Sequence, residues 1–315
     1  MNAFQKIALI ATLLAGHFLT AQAQQHAVSA DRGRGDEHNI ELRFTNNLYV
    51  PIILRVTFED ANSIGGGVLS PYTTAISARG VTSITLPRKE NANYRYSYRY
   101  WWGCRNPKVE TDYPYLIPVG KNGETKVSKL VLINKKYGMK EKVPAKSYYA
   151  TSFYAPKGDT VYAARRGTVF NLKNDVDLKY SGYTMSTEEN AVHIMHKDCS
   201  YAWYSVLSQI LVKDGQEVEA GQPIAIVGGD KYASGNHVRF SVIHSYYCDT
   251  CDNRAGAYGK AFVKPKFYQS NGAIDTLMRN SNIYTAAHPD EIITREMSRR
   301  ELKKWRKAHL KKVGT

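Results

Sequence analysis

Val212 to Ile224 reads V-K-D-G-Q-E-V-E-A-G-Q-P-I, short apolar stretches separated by turn residues at Gly215 and Gly221. A helix needs apolar residues three and four apart over a dozen positions, whereas brief apolar runs broken by glycine belong to short strands joined by tight turns. The same texture extends outward on both sides: A-P-K-G-D-T-V-Y-A-A-R-R-G-T-V from Ala155, A-V-H-I-M-H from Ala191, Y-S-V-L-S-Q-I-L from Tyr204 and H-V-R-F-S-V from His237. Gly158, Gly167, Gly215, Gly221, Gly228 and Gly235 fall at the expected turns, where glycine takes a positive φ without steric strain. The fold class is therefore all-β, with one domain spanning about 145–285.

Upstream, Ile40, Leu42 and Phe44 alternate with polar residues, and V-P-I-I-L-R-V-T-F from Val50 and I-S-A-R-G-V-T-S-I-T-L from Ile76 read as further strands. They predict a β-sandwich-like domain over 39–135. Within it, N-A-N-Y-R-Y-S-Y-R-Y-W-W from Asn91 puts Tyr94, Tyr96, Tyr98 and Tyr100 on one face and Arg95 and Arg99 on the other. Such a stripe is either a sandwich core face or a platform on which sugar rings stack, and the core face is the preferred reading. The charged segment from Lys136, with Gly138 and Pro144, reads as a linker. Residues 24–38 are polar and are expected to form a disordered leader.

Residues 1–23 carry one cation at Lys6, an apolar run from Ile7 to about Leu19, and small residues at Ala21 and Ala23. This is the pattern of a secretory signal peptide, too short and interrupted to be a membrane span. The expected location is outside the cytoplasm, periplasmic or extracellular, in a bacterial envelope. Removal of Lys6 takes the formal charge from +15 to +14, so the exported chain faces anionic partners. Cell-wall glycan, lipid headgroups and lipopolysaccharide fit that compartment; nucleic acid is not expected, since no binding motif accompanies the charge.

Four cysteines, Cys104, Cys199, Cys248 and Cys251, suit disulfides in an oxidising compartment. The C-D-T-C run is read as a local bridge between Cys248 and Cys251, against a redox pair or half of a zinc ribbon. Cys104 and Cys199 are then free or joined across domains.

The phrases of 145–285, above all Val212–Ile224 and G-N-H-V-R-F-S at Gly235–Ser241, resemble the lysostaphin or LytM-type peptidoglycan endopeptidases of the duplicated hybrid motif fold. Biotinyl-lipoyl carriers share a related barrel, but no lysine sits in a swinging-arm hairpin here. The resemblance implies antiparallel sheets around a groove, a zinc ion and cleavage of wall peptides. In the family the ligands are a histidine, an aspartate four residues later and the second histidine of H-x-H. Aligned on Ala155-Pro156, these fall on Tyr148, Ser152 and Arg239, and the other catalytic histidine falls on Val206. Only His237 keeps the family residue.

A guanidinium has no lone pair to give a cation, and phenol and hydroxyl are poor zinc ligands beside imidazole and carboxylate. The expectation is a groove without metal or other cofactor. There Arg239, with Tyr148, Ser152 and His237, grips a carboxylate or carbonyl of a peptide stem, or else Arg239 pairs with an internal acid and the groove is closed. A displaced zinc site is the alternative. It would draw on His193, His196 and His244, but the odd spacings His193 to His196 and His237 to His244 turn each pair to opposite faces of a strand.

The tail from 289 to 315 contains S-R-R-E at Ser298–Glu301, a capping box, followed by an amphipathic helix with Leu302, Trp305 and Leu310 on one side. Its cations suit an anionic membrane or lipopolysaccharide, or simply solvent. The expected role is a secreted, non-catalytic LytM-type protein that binds peptidoglycan or regulates a cell-wall amidase. An active zinc endopeptidase with a non-standard ligand set and a structural envelope-surface protein are the rivals.

Overall fold

The structure, a computed structural model, describes residues 26–34, 39–59, 70–87, 95–130, 148–184, 186, 188–248, 257–277 and 282–313. The signal-peptide segment 1–23, Tyr94, most of the linker and Cys251 lie outside the described residues.

The N-terminal unit comprises β1 (Val28–Arg34), β2 (Asn39–Asn46), β3 (Ile52–Phe58), β4 (Tyr72–Ile76), β5 (Val81–Pro87) and β6 (Tyr96–Trp102). These pair antiparallel as two sheets, β1-β2-β5 and β4-β3-β6. Period-two patterning drives the arrangement: Ile40, Leu42 and Phe44 of β2 and Ile84 and Leu86 of β5 meet Ile52, Leu54 and Val56 of β3 in one core. Tyr96 and Tyr98 set their rings edge-on against Phe44, at 5.9 and 5.5 Å, while Tyr98 and Tyr100 remain over a third exposed, so the tyrosine stripe is partly core and partly solvent-facing.

Two boundaries differ from those expected. The leader is not disordered throughout: Val28–Arg34 forms β1, in register with the whole of β2. Its polar composition suits an edge strand, which needs only Val28 on the core side and the main-chain ladder on one flank. The sandwich also ends at Trp102, because 113–130 belongs to the second unit, with Tyr113, Tyr115, Ile117, Val119 and Val127 in that unit's core. A local strand pattern does not say which sheet a strand joins.

The second unit runs through β7 (Pro114–Leu116), β8 (Glu124–Leu130), β9 (Ala150–Tyr154), β10 (Thr160–Tyr162), β11 (Gly167–Lys173), β12 (Ala191–Met195), β13 (Tyr201–Ser205), β14 (Leu207–Ile210) and β15 (Glu217–Val218). It continues with β16 (Pro223–Val227), β17 (His237–Cys248), β18 (Ala257–Val263), β19 (Lys266–Tyr268), β20 (Ile274–Asp275) and β21 (Ile283–Thr285). The main sheet is ordered β15-β11-β12-β13-β17-β9-β8-β21, with β18 pairing the far half of β17. Smaller sheets, β10-β16-β14 and β20-β19-β7, complete an all-β body. On one face of the main sheet Phe153, Val238, Phe240 and Val242 bury against Phe267 and Tyr204; each such side chain contributes roughly 2 to 3 kcal/mol of transfer free energy. The opposite face carries the candidate site.

Of the predicted glycine turns, Gly158, Gly215, Gly221 and Gly235 do take φ between 77° and 87°. Gly167 and Gly228 do not. They are glycine because the Met195 and Val206 carbonyls approach so closely that a Cβ has no room.

The units are joined by side chains and by sulfur. Trp102 packs edge-on against Phe170, His193 and Tyr201, and Ser245 donates a hydrogen bond to the Trp102 carbonyl at 2.7 Å. Cys104 is bonded to Cys199, Cα to Cα 5.7 Å, which settles that pair as a link between the two units. Cys248 is also disulfide-bonded.

The tail docks through α1 (Asp290–Ile293), whose Ile292 is buried with Leu116 and Ala220, before α2 (Arg299–Val313) begins. Arg165, fully buried, donates to Glu296 through Nη2 (2.7 Å) and Nε (3.2 Å) and to Asp198 through Nη1 (2.8 Å). Its guanidinium plane lies 3.8 Å from the Tyr113 ring centroid. Arg166 takes Glu301 in a fork at 2.6 and 3.0 Å.

Candidate functional site

Register sets the site. In β17, His237, Arg239 and Ser241 leave the face opposite Phe240, and the pairings align Arg239 with Ser152 of β9 on one side and Ser205 of β13 on the other. Ser128 of β8 continues the row beyond Ser152. Small side chains on both flanks leave room for the long arginine to lie across the sheet. Ser152, His237 and Arg239 thus share one surface, as expected, while Tyr148 precedes β9 and packs its ring 4.8 Å from that of Phe262.

The Arg239 guanidinium does not point to an open ligand position. Its Nη1 donates to Glu189 Oε1 at 2.5 Å, the same oxygen accepts the Tyr232 hydroxyl at 2.7 Å, and Ser205 donates to Oε2 at 2.7 Å. Both partners are mostly withdrawn from water, with side chains 16% and 10% exposed, so each charge needs the other. The Tyr232 ring lies under the guanidinium, 4.9 Å away, and burial together with the Glu189 hydrogen bond pushes the Tyr232 phenol well up. Of the two roles expected for Arg239, gripping a ligand or pairing with an internal acid, the geometry gives the second. Glu189 was not singled out from the sequence, because it sits in a polar stretch before β12 and its tie to Arg239 spans fifty residues. The signal available was the need of an inward-facing arginine for an acid.

His237 is buried, flanked by Tyr154 and Tyr232 at 5.6 and 5.3 Å between ring centroids. Its Nδ1 must donate to the Gly235 carbonyl, 2.7 Å away, which leaves Nε2 as the acceptor. Burial first, and the neighbouring Arg239 charge, lower its pKa, so the ring stays neutral. Gly229, at φ +97°, lets the chain pass beside His237: a Cβ there would stand 3.1 Å from Nδ1.

Val206 adopts φ +65°, a left-handed conformation that disfavours a β-branched residue. The Gly228 amide donates to the Val206 carbonyl at 3.0 Å and the His237 amide to the Gly228 carbonyl at 3.1 Å, tying the two positions together. Val206, Glu189, Gly229 and Tyr232 line a recess of about 200 Å³. Trp203 sits two residues before Ser205 on the same face of β13, over a third exposed and stacked on His193 at 5.2 Å.

The other histidines do not converge. His193 is buried in the contact with Trp102, its pKa lowered to about 4, chiefly by burial. His196 donates from Nδ1 to the Arg166 carbonyl at 2.8 Å, with its pKa lowered to about 3 by burial and by Arg165. His244 reaches its neighbour's carbonyl, that of Ser245. Among the described residues no three His, Cys, Asp or Glu side chains gather as a metal site. The residues at the family ligand positions do not fit zinc: Ser152 offers a hydroxyl and Arg239 a cation already bound to Glu189.

A larger cavity, about 1200 Å³, opens elsewhere, between Tyr49, the Arg166–Thr168 turn, His196 and the tail at Glu296–Glu301. Its acids Asp198, Glu296 and Glu301 are consumed by Arg165 and Arg166. The smaller recess is the better site, because Val206 lines it together with Glu189 and Tyr232, the two residues that hold Arg239.

Residues 146–252 match the model of Peptidase family M23, and this part of the chain is an M23 domain. Over 93 residues the chain is 34% identical to the peptidoglycan DD-endopeptidase ShyA of Vibrio cholerae, and 33% identical to ShyB of the same organism. These stretches are 30% of this chain but 19% and 20% of those proteins, so the chain spans about a fifth of the length of the curated relatives it matches. Among solved structures, the lysostaphin catalytic domain from Staphylococcus simulans is 24% identical, covering 33% of this chain and 77% of that one with a TM-score of 0.24. A putative M23 peptidase from Pseudomonas aeruginosa is 15% identical, covering 60% and 82% with a TM-score of 0.30.

Proposed function

We propose that this chain is an exported envelope protein whose M23 domain holds peptidoglycan peptide stems without hydrolysing them. The observation that carries the reading is the Arg239–Glu189 pair at a metal-ligand position of the family. Hydrolysis by zinc needs three lone-pair donors and an open position for water. Here one donor position is a cation and another a hydroxyl, and the histidine partner position is Val206.

What remains suits recognition. The recess beside Val206 and Gly229, with Glu189 and Tyr232 in its wall, receives a small side chain, and exposed Trp203 offers an apolar surface two residues away from the Arg239 row. The proteins similar to this one are peptidoglycan endopeptidases by name, which points to wall peptides as the ligand class.

The test is metal analysis of the exported chain, joined to pull-down on purified sacculi and digestion of the same sacculi. Retention on sacculi, substoichiometric zinc and no released fragments are expected. Stoichiometric zinc with chelator-sensitive release of fragments would establish an endopeptidase on another ligand set, and a chain that neither binds nor cuts would leave a structural role.

A further inference from the structure

The α2 helix, Arg299–Val313, is anchored at its first turn. Ser298 caps it: the Glu301 amide donates to Ser298 Oγ at 3.3 Å and the Ser298 amide to Glu301 Oε2 at 2.7 Å, a reciprocal capping box. Glu301 is also gripped by Arg166, and Glu296, three residues before the helix, by the buried Arg165. Beyond this anchored first turn no strand or other helix packs extensively on it among the described residues. A segment that only had to be solvated would need no such anchoring.

At 100° per residue Leu302, Trp305 and His309 fall on one stripe, and the Trp305 and His309 rings stack at 3.8 Å. Arg306 and Arg299 border the stripe on one side, and Lys303, Lys307, Arg300 and Lys304 continue from them around the far side. None of these six cations has a salt bridge among the described residues. Glu301, the one acid in the helix, is already taken by Arg166. The helix, 15 residues long, is thus a cationic rod with an apolar, tryptophan-bearing edge.

We infer that α2 lies on an anionic lipid bilayer, Leu302 and Trp305 entering the headgroup boundary and the cations resting on lipid phosphates. A soluble polyanion would use the charge alone; the stripe with its indole favours a bilayer, where an amphipathic ring sits between water and acyl chain. The inference goes beyond the wall-peptide reading and survives its failure.

The experiment is co-sedimentation of the chain, as recovered after export, with vesicles of phosphatidylcholine alone or mixed with phosphatidylglycerol, at rising salt. Binding to the anionic vesicles that falls with salt is expected. The variant Lys303→Glu/Lys304→Glu/Lys307→Glu should weaken it by at least about fivefold per charge, at about 1 kcal/mol each. A blue shift of tryptophan emission on binding, lost in Trp305→Phe, should accompany it, while far-UV dichroism and retention on sacculi stay unchanged. Equal binding by the charge-reversed variant overturns the inference, as does binding to heparin without preference for anionic vesicles and without the emission shift.

Discussion

Arg239 and Glu189, fifty residues apart, form the charged centre of the groove face, Nη1 to Oε1 at 2.5 Å, with Tyr232 and Ser205 donating to the same carboxylate. The carboxylate therefore accepts three donors, and the guanidinium neutralises it. Removing one partner leaves the other charge buried and uncompensated. Glu189→Ala should lower stability by roughly 3 kcal/mol, while Glu189→Leu/Arg239→Met should recover most of that loss. Urea unfolding of the four-member cycle measures this, and a single-mutant loss below 1 kcal/mol would mean that water already screens the pair.

Acid should destabilise the fold before it titrates most carboxylates. His193 and His196 have native pKa values near 4 and 3, below the unfolded value of 6.5, and His237 is shifted the same way. The unfolded chain binds protons first as pH falls, so the stability these rings contribute is whole above pH 6.5 and is lost progressively towards pH 4 and then 3. Acidification from neutral pH to about pH 4 should remove on the order of 3 kcal/mol through His193 alone. Asp198, held near 2 by Ser200 and Arg165 against the cost of burial, acts in the same direction below 3.8. Thermal melts across this range should show a steep loss that His193→Phe blunts.

Val206 stores backbone strain. Truncating a buried valine to glycine ordinarily costs about 3 kcal/mol through lost packing and added chain entropy. At Val206 the left-handed φ returns about 1 to 2 kcal/mol, so Val206→Gly should cost far less than Val242→Gly in β17. Equal costs in chemical unfolding would show that the conformation carries no strain.

The bridge from Cys104 to Cys199 closes a separation of 95 residues between the two units. Cross-linking so long a loop should contribute on the order of 4 kcal/mol by restricting the unfolded chain. Cys104→Ser/Cys199→Ser should therefore unfold at markedly lower denaturant, with Trp102 still packed against Tyr201 in the native state. Loss of the Trp102 contact without loss of stability would assign the bridge to domain orientation alone.

Much of the candidate site was legible before the structure. The M23 resemblance rests on local phrases, a turn glycine or a strand tripeptide at fixed spacing, and strand pairing and backbone hydrogen bonds bring Ser152, His237, Arg239 and Val206 into one neighbourhood. Glu189, Tyr232 and Ser205 were not legible, since no local rule says which acid answers a given arginine. The leader was misread for a related reason: β1 is polar, and its order comes from the ladder to β2 rather than from its own side chains.

Composition, alternation and turn glycines determined by themselves that the chain is all-β, and local phrases carried the M23 resemblance that sets Tyr148, Ser152 and Arg239 against the family's metal ligands. Those are properties of residue type and spacing, which short-range sterics and lone-pair chemistry decide. The tertiary structure alone decided that 113–130 joins the second unit, that Cys104 meets Cys199, that Arg165 and Arg166 fasten the tail, and that Arg239 is answered by Glu189. Each is a long-range pairing, chosen by where a buried charge, sulfur or strand edge finds its partner once the sheets have closed.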